Sequence, residues 1–386
     1  MPNLTDKLRM IGAESKPGPK AEPAKETAQG CYKISERYPI ASFSEARHMN
    51  ADILREIYDL PFPASTCMQD LLFLDTETTG LSRGAGTVAF LVGVGYFTDR
   101  QFVVEQFLMR DYDEEPFLLE EIHRLLQRFP VLVTFNGRTF DMPILENRLL
   151  LNRYRGPESA VHADVLYASR RVWKLRLKQC NLQRLEENIL GIAREDDLPG
   201  ALIPQTYFQY LKNRDFEPVR RIMVHNRQDI VSLSQLFFFL CRLHDQPETM
   251  TAPEDLFSLA AALQRSGKLE KAKKCFRMSA RDGMWTPAFH ALAAQEKREG
   301  NAQRAVKLYT AMLRRREDTV DACIALAKLY EHQLKDCKHA LLYTRQALLS
   351  LSEPGLTANP AVQDKRNALQ YRYVRLRRKI AGGSDQ

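Results

Sequence analysis

The sequence lacks paired cysteine motifs. Its seven cysteines, among 386 residues, are an odd number, and no two of them have the C-x-x-C spacing. This pattern argues against a disulfide framework and against a zinc ribbon. We therefore interpret the cysteines as small core residues and expect a protein of the reducing cytoplasm.

Long apolar runs are also missing. The longest purely apolar stretch, residues 236–241, is far below the ~18 residues that span a bilayer. The first residues, Met-Pro-Asn-Leu-Thr-Asp-Lys, have no apolar core of the kind that a signal peptide needs. We therefore expect no membrane association and a cytoplasmic location.

Composition places the chain among folded proteins with a basic balance. Hydrophobic residues make up 44% and charged residues 27%, so disorder along the whole length is excluded. The length suggests two or three domains. Because 56 Lys and Arg face 48 Asp and Glu, the net charge is +8, which suits a nucleic-acid partner without requiring one.

Composition and pattern divide the chain into five segments. Residues 1–30 contain too few large apolar groups to offset the entropy of ordering, and we predict a disordered tail. Residues 31–65 form a lead-in, with a strand near 32–40 and a helix near 44–58. The remaining segments are an α/β domain at 66–245, helical repeats at 252–350, and a basic helix with a tail at 351–386.

Apolar runs and periodicity predict a β-β-β-α-β order at the start of the α/β domain. Residues 71–74 are all apolar and precede Asp75, which is typical of a strand buried on both faces. The other predicted elements are a strand hairpin at 87–97 and 101–108, a helix at 114–128, strands at 130–135 and 161–164, and a closing helix at 217–244.

A repeat of about 34 residues occupies the C-terminal part. Small and aromatic residues recur in fixed phase, namely Gly267, Ala272 and Phe276, then Gly300, Ala305 and Tyr309, then Ala340 and Tyr343, although the third copy lacks the glycine. This period resembles tetratricopeptide repeats, whose helical hairpins stack into a solenoid. The resemblance implies a binding surface for a protein partner, and a generic helical bundle with coincidental spacing is the alternative.

Two acidic residues end the apolar strand. Asp75 and Glu77 stand in Asp-Thr-Glu-Thr-Thr-Gly, and residues two apart on a strand point to one face. An unpaired carboxylate at this buried edge is costly, so a divalent cation is the natural compensation.

Three further residues are candidates for the same cleft. Asp141 follows the apolar strand ending at Phe135, where it could also be only a charge favoured at a helix N-terminus. His225 and Asp229 are four residues apart and share one face of the closing helix. Alone, that pair would more often be a helix salt bridge.

Together these residues resemble the DEDD superfamily of nucleases, which have an RNase H-like fold and include the DnaQ-type exonucleases. The matching positions are Asp75 and Glu77 in D-x-E-T-T-G, Asp141 in N-x-x-x-F-D, and His225 with Asp229. The order of shorter motifs between 162 and 230 resembles more narrowly the YprB-type branch of RNase H-like proteins. One departure is that His225 stands four residues before the last Asp, where the four-residue spacing usually goes with Tyr.

The resemblance implies a metal-dependent nuclease, most specifically a 3′–5′ exonuclease on single-stranded DNA or RNA. Asp75, Glu77, Asp141 and Asp229 would hold two Mg²⁺ or Mn²⁺ ions, and His225 would deprotonate the attacking water. The terminal nucleotide would lie near the remaining predicted contacts, Thr78, Thr79, Gly80 and Asn136, of which Asn136 alternatively holds the loop before Asp141.

Two other functions stay open at this point. The chain could be a catalytically silent or partner-activated adaptor, or an RNase H-like endonuclease. Asp164 could be a further ligand or a structural cap. Trp173, amid the basic residues Arg170, Arg171, Lys174, Arg176 and Lys178, could mark a phosphate track with a stacked base or a solvated helix face with a buried Trp.

Overall fold

The computed structural model describes residues 30–80, 86–155, 161–194, 197–280, 286–316, 318–351 and 360–382. The chain divides into two compact units between Thr249 and Met250. Nearly all of the predicted N-terminal tail lies outside the described residues. Within the described part of the chain, no helix is long and apolar enough to cross a membrane.

The first unit is built around a six-stranded mixed sheet. In sheet order β1, β4, β3, β2, β5, β6, the first four strands pair antiparallel, whereas β5 pairs parallel with both β2 and β6. The strands are β1 (Tyr32–Pro39), β2 (Leu71–Thr78), β3 (Ala89–Phe97), β4 (Gln101–Leu108), β5 (Val131–Thr134) and β6 (Val161–Asp164).

The sheet follows from apolar runs that are covered on both faces. In β2 the residues from Leu71 to Leu74 are all buried, and Asp75 is the first that is partly exposed. β3 and β5 are buried almost throughout. This pattern is what a central strand with helices on both sides requires, and it leaves the acidic end of β2 at the carboxyl edge of the sheet.

Seven α-helices belong to the described part of the first unit. They are α1 (Ala51–Tyr58), α2 (Glu115–Arg128), α3 (Asp141–Leu151), α4 (Val165–Leu177), α5 (Leu182–Leu185), α6 (Ile203–Asn213) and α7 (Glu217–Asp245). A π-helical turn at Glu186–Leu190 follows α5, and 3-10 turns cover Ile40–His48, Met68–Asp70, Tyr112–Glu114, Gly200–Leu202 and Pro247–Thr249.

The predicted order of strands and helices is confirmed, with one error in the lead-in. The expected single helix at 44–58 is instead a 3-10 segment, Ile40–His48, followed by α1. Asn50 causes the break because its side chain accepts a 3.0 Å hydrogen bond from the Ile53 amide and so begins a new helix. One cysteine prediction is also wrong, since Cys67 is exposed.

Two glycines let α7 lie close to the sheet. A Cβ atom at Gly93 would be 2.1 Å from Asn226 Oδ1, and one at Gly95 would be 2.6 Å from Ile230 Cγ2. Both glycines are on β3, and Asn226 and Ile230 are one turn apart on α7. A side chain at either glycine would push the helix outward, so these residues set the distance between α7 and the sheet.

The second unit is helical. Its described helices are α8 (Pro253–Arg265), α9 (Leu269–Ser279), α10 (Thr286–Arg298), α11 (Ala302–Arg314), α12 (Thr319–His332), α13 (Cys337–Ser350) and α14 (Pro360–Gly382). Consecutive pairs contact each other, and α8, α10 and α12 begin at intervals of 33 residues. A helical C-terminal region is therefore confirmed, whereas its assignment to the tetratricopeptide class and the finer domain limits stay predictions.

Backbone conformation explains the glycines of the repeat. Gly267 and Gly300 have φ of +78° and +81°, a conformation that side chains disfavour. Lys335 takes the corresponding place before α13 with φ of +56°. The third copy therefore keeps the turn without glycine.

The basic C-terminal helix is attached to α12 through one buried acid. The side chain of Glu331 is 1% exposed and pairs with Arg372 at 2.7 Å, Arg375 at 2.5 Å and Lys379 at 3.5 Å. Part of the positive charge of α14 is thus neutralised within the unit, which favours a capping role for this helix.

Replacing Gly93 by Ala should destabilise the first unit. Since the new methyl group would overlap Asn226, we expect a loss of about 1–3 kcal/mol in the free energy of unfolding. Gly200→Ala is the matched control, because no atom of the described residues lies within 4 Å of a Cβ there. Urea unfolding compares the two, and equal stabilities would contradict the close approach of α7.

Candidate functional site

The acidic end of β2 forms one wall of the site. Asp75 and Glu77 are two residues apart on β2 and share a face of the sheet. Asp75 accepts a 2.9 Å hydrogen bond from Asn226 Nδ2 on α7. Asn226 is itself held by Gln106 of β4, whose Nε2 is 2.9 Å from Asn226 Oδ1. Asp75, Gly93 and Gln106 are cross-strand neighbours on β2, β3 and β4. Asn226 lies across them, and its hydrogen bond holds the Asp75 carboxylate in place.

Asp141 enters from the start of α3. Its side chain is 4% exposed, and its Oδ1 accepts hydrogen bonds from the Thr76 amide at 3.1 Å and the Thr76 hydroxyl at 2.6 Å. Because Thr76 lies between Asp75 and Glu77, this contact ties Asp141 to the same end of β2. Asp141 is therefore more than a negative charge that is favoured at the N-terminus of a helix.

The α7 helix supplies the last two predicted residues. His225 Nε2 lies 3.9 Å from Glu77 Oε1 and 3.5 Å from Asp229 Oδ2. Potential ligand atoms of Glu77, His225 and Asp229 lie within 4.8 Å of one another. The His225 and Asp229 pair therefore faces the end of β2 rather than forming only a salt bridge along the helix.

An arginine network backs this cluster. Arg194, whose side chain is 7% exposed, binds Glu186 with 2.6 Å and 2.7 Å hydrogen bonds and approaches Asp197 at 3.1 Å. It also donates to Asp229. The other ring nitrogen of His225, Nδ1, is 2.7 Å from Asp197 Oδ1. Both site residues on α7 are thus held by the segment that follows the π-helical turn.

Burial and mutual repulsion raise the pKa values of the clustered acids. Burial, followed by the charges of Asp229, Asp141 and Glu77, places the pKa of Asp75 well above its usual range. Burial and the charges of Asp229 and Asp141 do the same to the pKa of Glu77. For Asp141, burial raises the pKa to about 6 in spite of the Thr76 hydrogen bonds.

Other acids of the neighbourhood are compensated differently. Burial alone would raise the pKa of Asp197, but the hydrogen bond and charge of His225, with Arg194, lower it below the usual value. The pKa of Arg194 is raised, because bonds to Glu186 and Asp229 outweigh its burial. Glu186, Asp197 and Asp229 thus pair with Arg194. The carboxylates on β2 and α3 have fewer contacts with protein cations.

The predicted substrate contacts are adjacent but engaged with their own loops. The Thr78 hydroxyl donates to the Gly80 carbonyl at 2.9 Å, and the Thr79 amide donates to the Val88 carbonyl at 2.9 Å. Asn136 has φ of +66°, and its Oδ1 accepts a 2.8 Å bond from Thr139. These contacts support the loop role of Asn136.

Two weaker candidates have structural roles. Asp164 caps α4 and accepts hydrogen bonds from the amides of Asn136, Arg138 and Leu166. Of the two interpretations of Trp173, the buried one is confirmed, because Trp173 is 1% exposed and belongs to the core.

The comparison with known families fits this fold and site. Residues 72–240 match a profile described as the RNase H superfamily. The first unit therefore contains an RNase H-like α/β domain. A nuclease-like domain of this superfamily supports an activity that hydrolyses nucleic acid. The predicted fold is confirmed.

Comparison with individual proteins gives one relative of similar extent. The chain is 28% identical over 360 residues to YprB, an uncharacterized protein of Bacillus subtilis strain 168, and the alignment covers 91% of this chain and 85% of that protein. The predicted resemblance to YprB-type proteins is thus confirmed. The family B DNA polymerase of Pyrobaculum calidifontis aligns with 51% of this chain and 29% of its own, at 14% identity and a TM-score of 0.36, which is too low to bear on function.

The residues present fit divalent cations. RNase H-like nucleases generally use such metals, and Glu77, His225 and Asp229 form a possible metal-binding group among the described residues. Carboxylate oxygens are preferred by hard cations. Burial, followed by repulsion from neighbouring carboxylates, raises the pKa values of Asp75 and Glu77, and a bound cation would relieve that repulsion.

Sequence reasoning missed several residues that hold the site together. Arg194 and Glu186 come from an irregular segment with no recognisable motif. Asp197 and Asn226 are likewise not among the candidate residues that the sequence motifs predict. The available signals were Gly93 and Gly95 in a strand otherwise rich in large apolar residues, which indicate close approach of another element.

The stability of the metal-free protein should depend on Asp141. The pKa of Asp141 is 3.8 in its ordinary state and about 6 in the fold. Protonation of Asp141 therefore stabilises the fold below pH 4, and this contribution is lost as the pH rises to about 6. Because each pKa unit corresponds to about 1.4 kcal/mol, Asp141→Asn should gain roughly 3 kcal/mol relative to the wild type between pH 4 and 7.

Urea unfolding in chelator at each pH measures this difference. Asp99→Asn, in the exposed turn between β3 and β4, is the matched control and should show no such gain. A constant difference between Asp141→Asn and the wild type across this range would refute the raised pKa.

Proposed function

We propose that this chain is a metal-dependent nuclease that hydrolyses phosphodiester bonds, acting as a 3′–5′ exonuclease on single strands. The observation that supports the proposal is the meeting of predicted residues from three separate elements at the carboxyl end of β2. These residues are Asp75, Glu77, Asp141, His225 and Asp229.

The carboxylates are suited to hold the metal. Asp75, Glu77, Asp141 and Asp229 would bind two Mg²⁺ or Mn²⁺ ions, since an all-oxygen set suits these ions better than zinc. When bound, such ions compensate the charge on the scissile phosphate and the leaving oxygen. The acids themselves are aligned beforehand by Asn226 and Thr76.

His225 is suited to be the general base. Its Nε2 faces the acidic cluster, and an imidazole can accept a proton from the attacking water near neutral pH. Its position on α7, one turn before Asp229, brings the ring to the cluster despite the spacing that usually accompanies Tyr. His225 would therefore receive the proton at Nε2.

The loop after β2 is suited to meet the end of the strand being cleaved. Thr78 is the last residue of β2, and Thr79 and Gly80 follow directly. Among the described residues, no atom lies within 4 Å of a Cβ at Gly80, and we infer that the backbone there can approach a nucleotide. We assign the substrate contacts to Thr78, Thr79 and Gly80.

The helical unit is suited to bind a protein partner. Its recurring hairpins resemble tetratricopeptide repeats, and stacked hairpins form an extended concave surface. The chemical groups of the nuclease site all belong to the first unit, so we assign recruitment, rather than chemistry, to the second.

Removal of a site carboxylate should abolish cleavage. Asp75→Ala and Asp229→Asn should each lower metal-dependent hydrolysis by about 100-fold or more, because the cations that would compensate the charge of the phosphate lose a ligand. The assay follows 5′-labelled single-stranded DNA and RNA with Mn²⁺, Mg²⁺ or chelator. Stepwise shortening from the 3′ end is the expected pattern.

The control for this assay is Asp99→Ala, which removes an exposed acid and should keep full activity. Retained cleavage in Asp75→Ala would sink the proposed site. Internal fragments would indicate an endonuclease, and binding of nucleic acid without cleavage by the wild type would favour the adaptor.

A further inference from the structure

We propose that Asp197 is a positioning residue that fixes the ring of His225 with Nε2 directed at the acidic cluster. The inference rests on the proposed function for its catalytic consequence. The contact between Asp197 and His225 is described by geometry alone and can be tested separately from activity.

The two nitrogens of the His225 ring face different surroundings. Nδ1 is 2.7 Å from Asp197 Oδ1, whereas Nε2 is 3.5 Å from Asp229 Oδ2 and 3.9 Å from Glu77 Oε1. A carboxylate only accepts hydrogen bonds. The nitrogen at hydrogen-bond distance, Nδ1, therefore carries the proton of the neutral ring.

This arrangement leaves Nε2 with its lone pair toward the cluster. Without Asp197 the proton would have no close acceptor at Nδ1, and the carboxylates of Glu77 and Asp229 would attract it to Nε2. A ring protonated there cannot accept a proton from water. The Asp197 contact thus selects the tautomer that a general base needs.

Asp197 is held in place by buried charge. Arg194 Nη1 is 3.1 Å from Asp197 Oδ2. Arg194 is anchored in turn by two hydrogen bonds to Glu186, which is fully buried. Because Glu186 belongs to the π-helical turn, a chain of contacts runs from Glu186 through Arg194 and Asp197 to the imidazole. Such support of a reactive imidazole by a carboxylate is a general device for setting its orientation.

The same arginine also braces Asp229. Since Arg194 donates to Asp229 as well, one guanidinium orients the partner of His225 and a site carboxylate. Arg194 Nη1 approaches Nδ1 of His225 at 3.3 Å, longer than the 2.7 Å contact from Asp197. Asp197 is therefore the residue whose removal isolates the effect on the ring.

The direct test is nitrogen-15 NMR of the histidine side chains in the full chain with Mg²⁺, at a pH where the ring is neutral. The chain has eight histidines, and His225→Ala identifies the signal. We expect the Nδ1–H tautomer in the wild type and a shift toward Nε2–H in Asp197→Ala. The Nε2–H tautomer in the wild type, or an unchanged tautomer in the variant, would overturn the proposal.

Kinetics provide the second arm. Asp197→Ala should lower kcat by about 10–100-fold with little change in KM, and Asp197→Asn, whose amide oxygen can still accept from Nδ1, should lose less. In the His225→Ala background, Asp197→Ala should cost less than 2-fold further. A full additive loss there would show that Asp197 acts otherwise than through His225.

If Asp197→Ala is poorly folded, the tautomer of the wild type still decides the test, because an Nε2–H ring there would overturn the proposal. Should the wild type cleave neither DNA nor RNA, the proposed function fails, while the tautomer measurement still decides the role of Asp197. The two failures are thus distinguishable.

Discussion

The site depends on the close contact between α7 and β3. Gly93 provides the space in which Asn226 sits, and Asn226 binds both Gln106 and the carboxylate of Asp75. The same helix presents His225 to the same edge of the sheet. If α7 moved outward, the acids of β2 and the residues of α7 would no longer face a common space, so packing of the core and geometry of the site are one constraint.

A second constraint is electrostatic. The fold brings carboxylates together with few protein cations among them, and burial with mutual repulsion raises the pKa values of Asp75, Glu77 and Asp141. Such a cluster destabilises the metal-free fold. The cations proposed for this site would offset that cost. Arg194 pairs with Glu186, Asp197 and Asp229, so Asp75 and Asp141 have no such arginine contact among the described residues.

Much of the fold and the core of the site were predictable from local signals. An apolar run ending in Asp75 predicts a buried strand with an acid at its edge, and the spacing of His225 and Asp229 predicts a shared helix face. Resemblance to a known superfamily then predicted that these residues form one site. Each of these patterns spans only a few residues, so it can be recognised in a single sequence.

The rest depends on contacts between distant segments. Arg194 meets a partner 35 residues away, and Asp197 one 28 residues away, in a stretch without periodicity. The basic pattern around Trp173 could not show that the indole is buried, because an amphipathic helix gives similar letters in either case.

The most direct test is the position of manganese in crystals of the full chain, read from anomalous scattering. The account predicts peaks between the carboxylates of Asp75, Glu77 and Asp229, and their loss in Asp75→Asn. Manganese bound elsewhere, or no manganese at this edge of the sheet under saturating conditions, would contradict it.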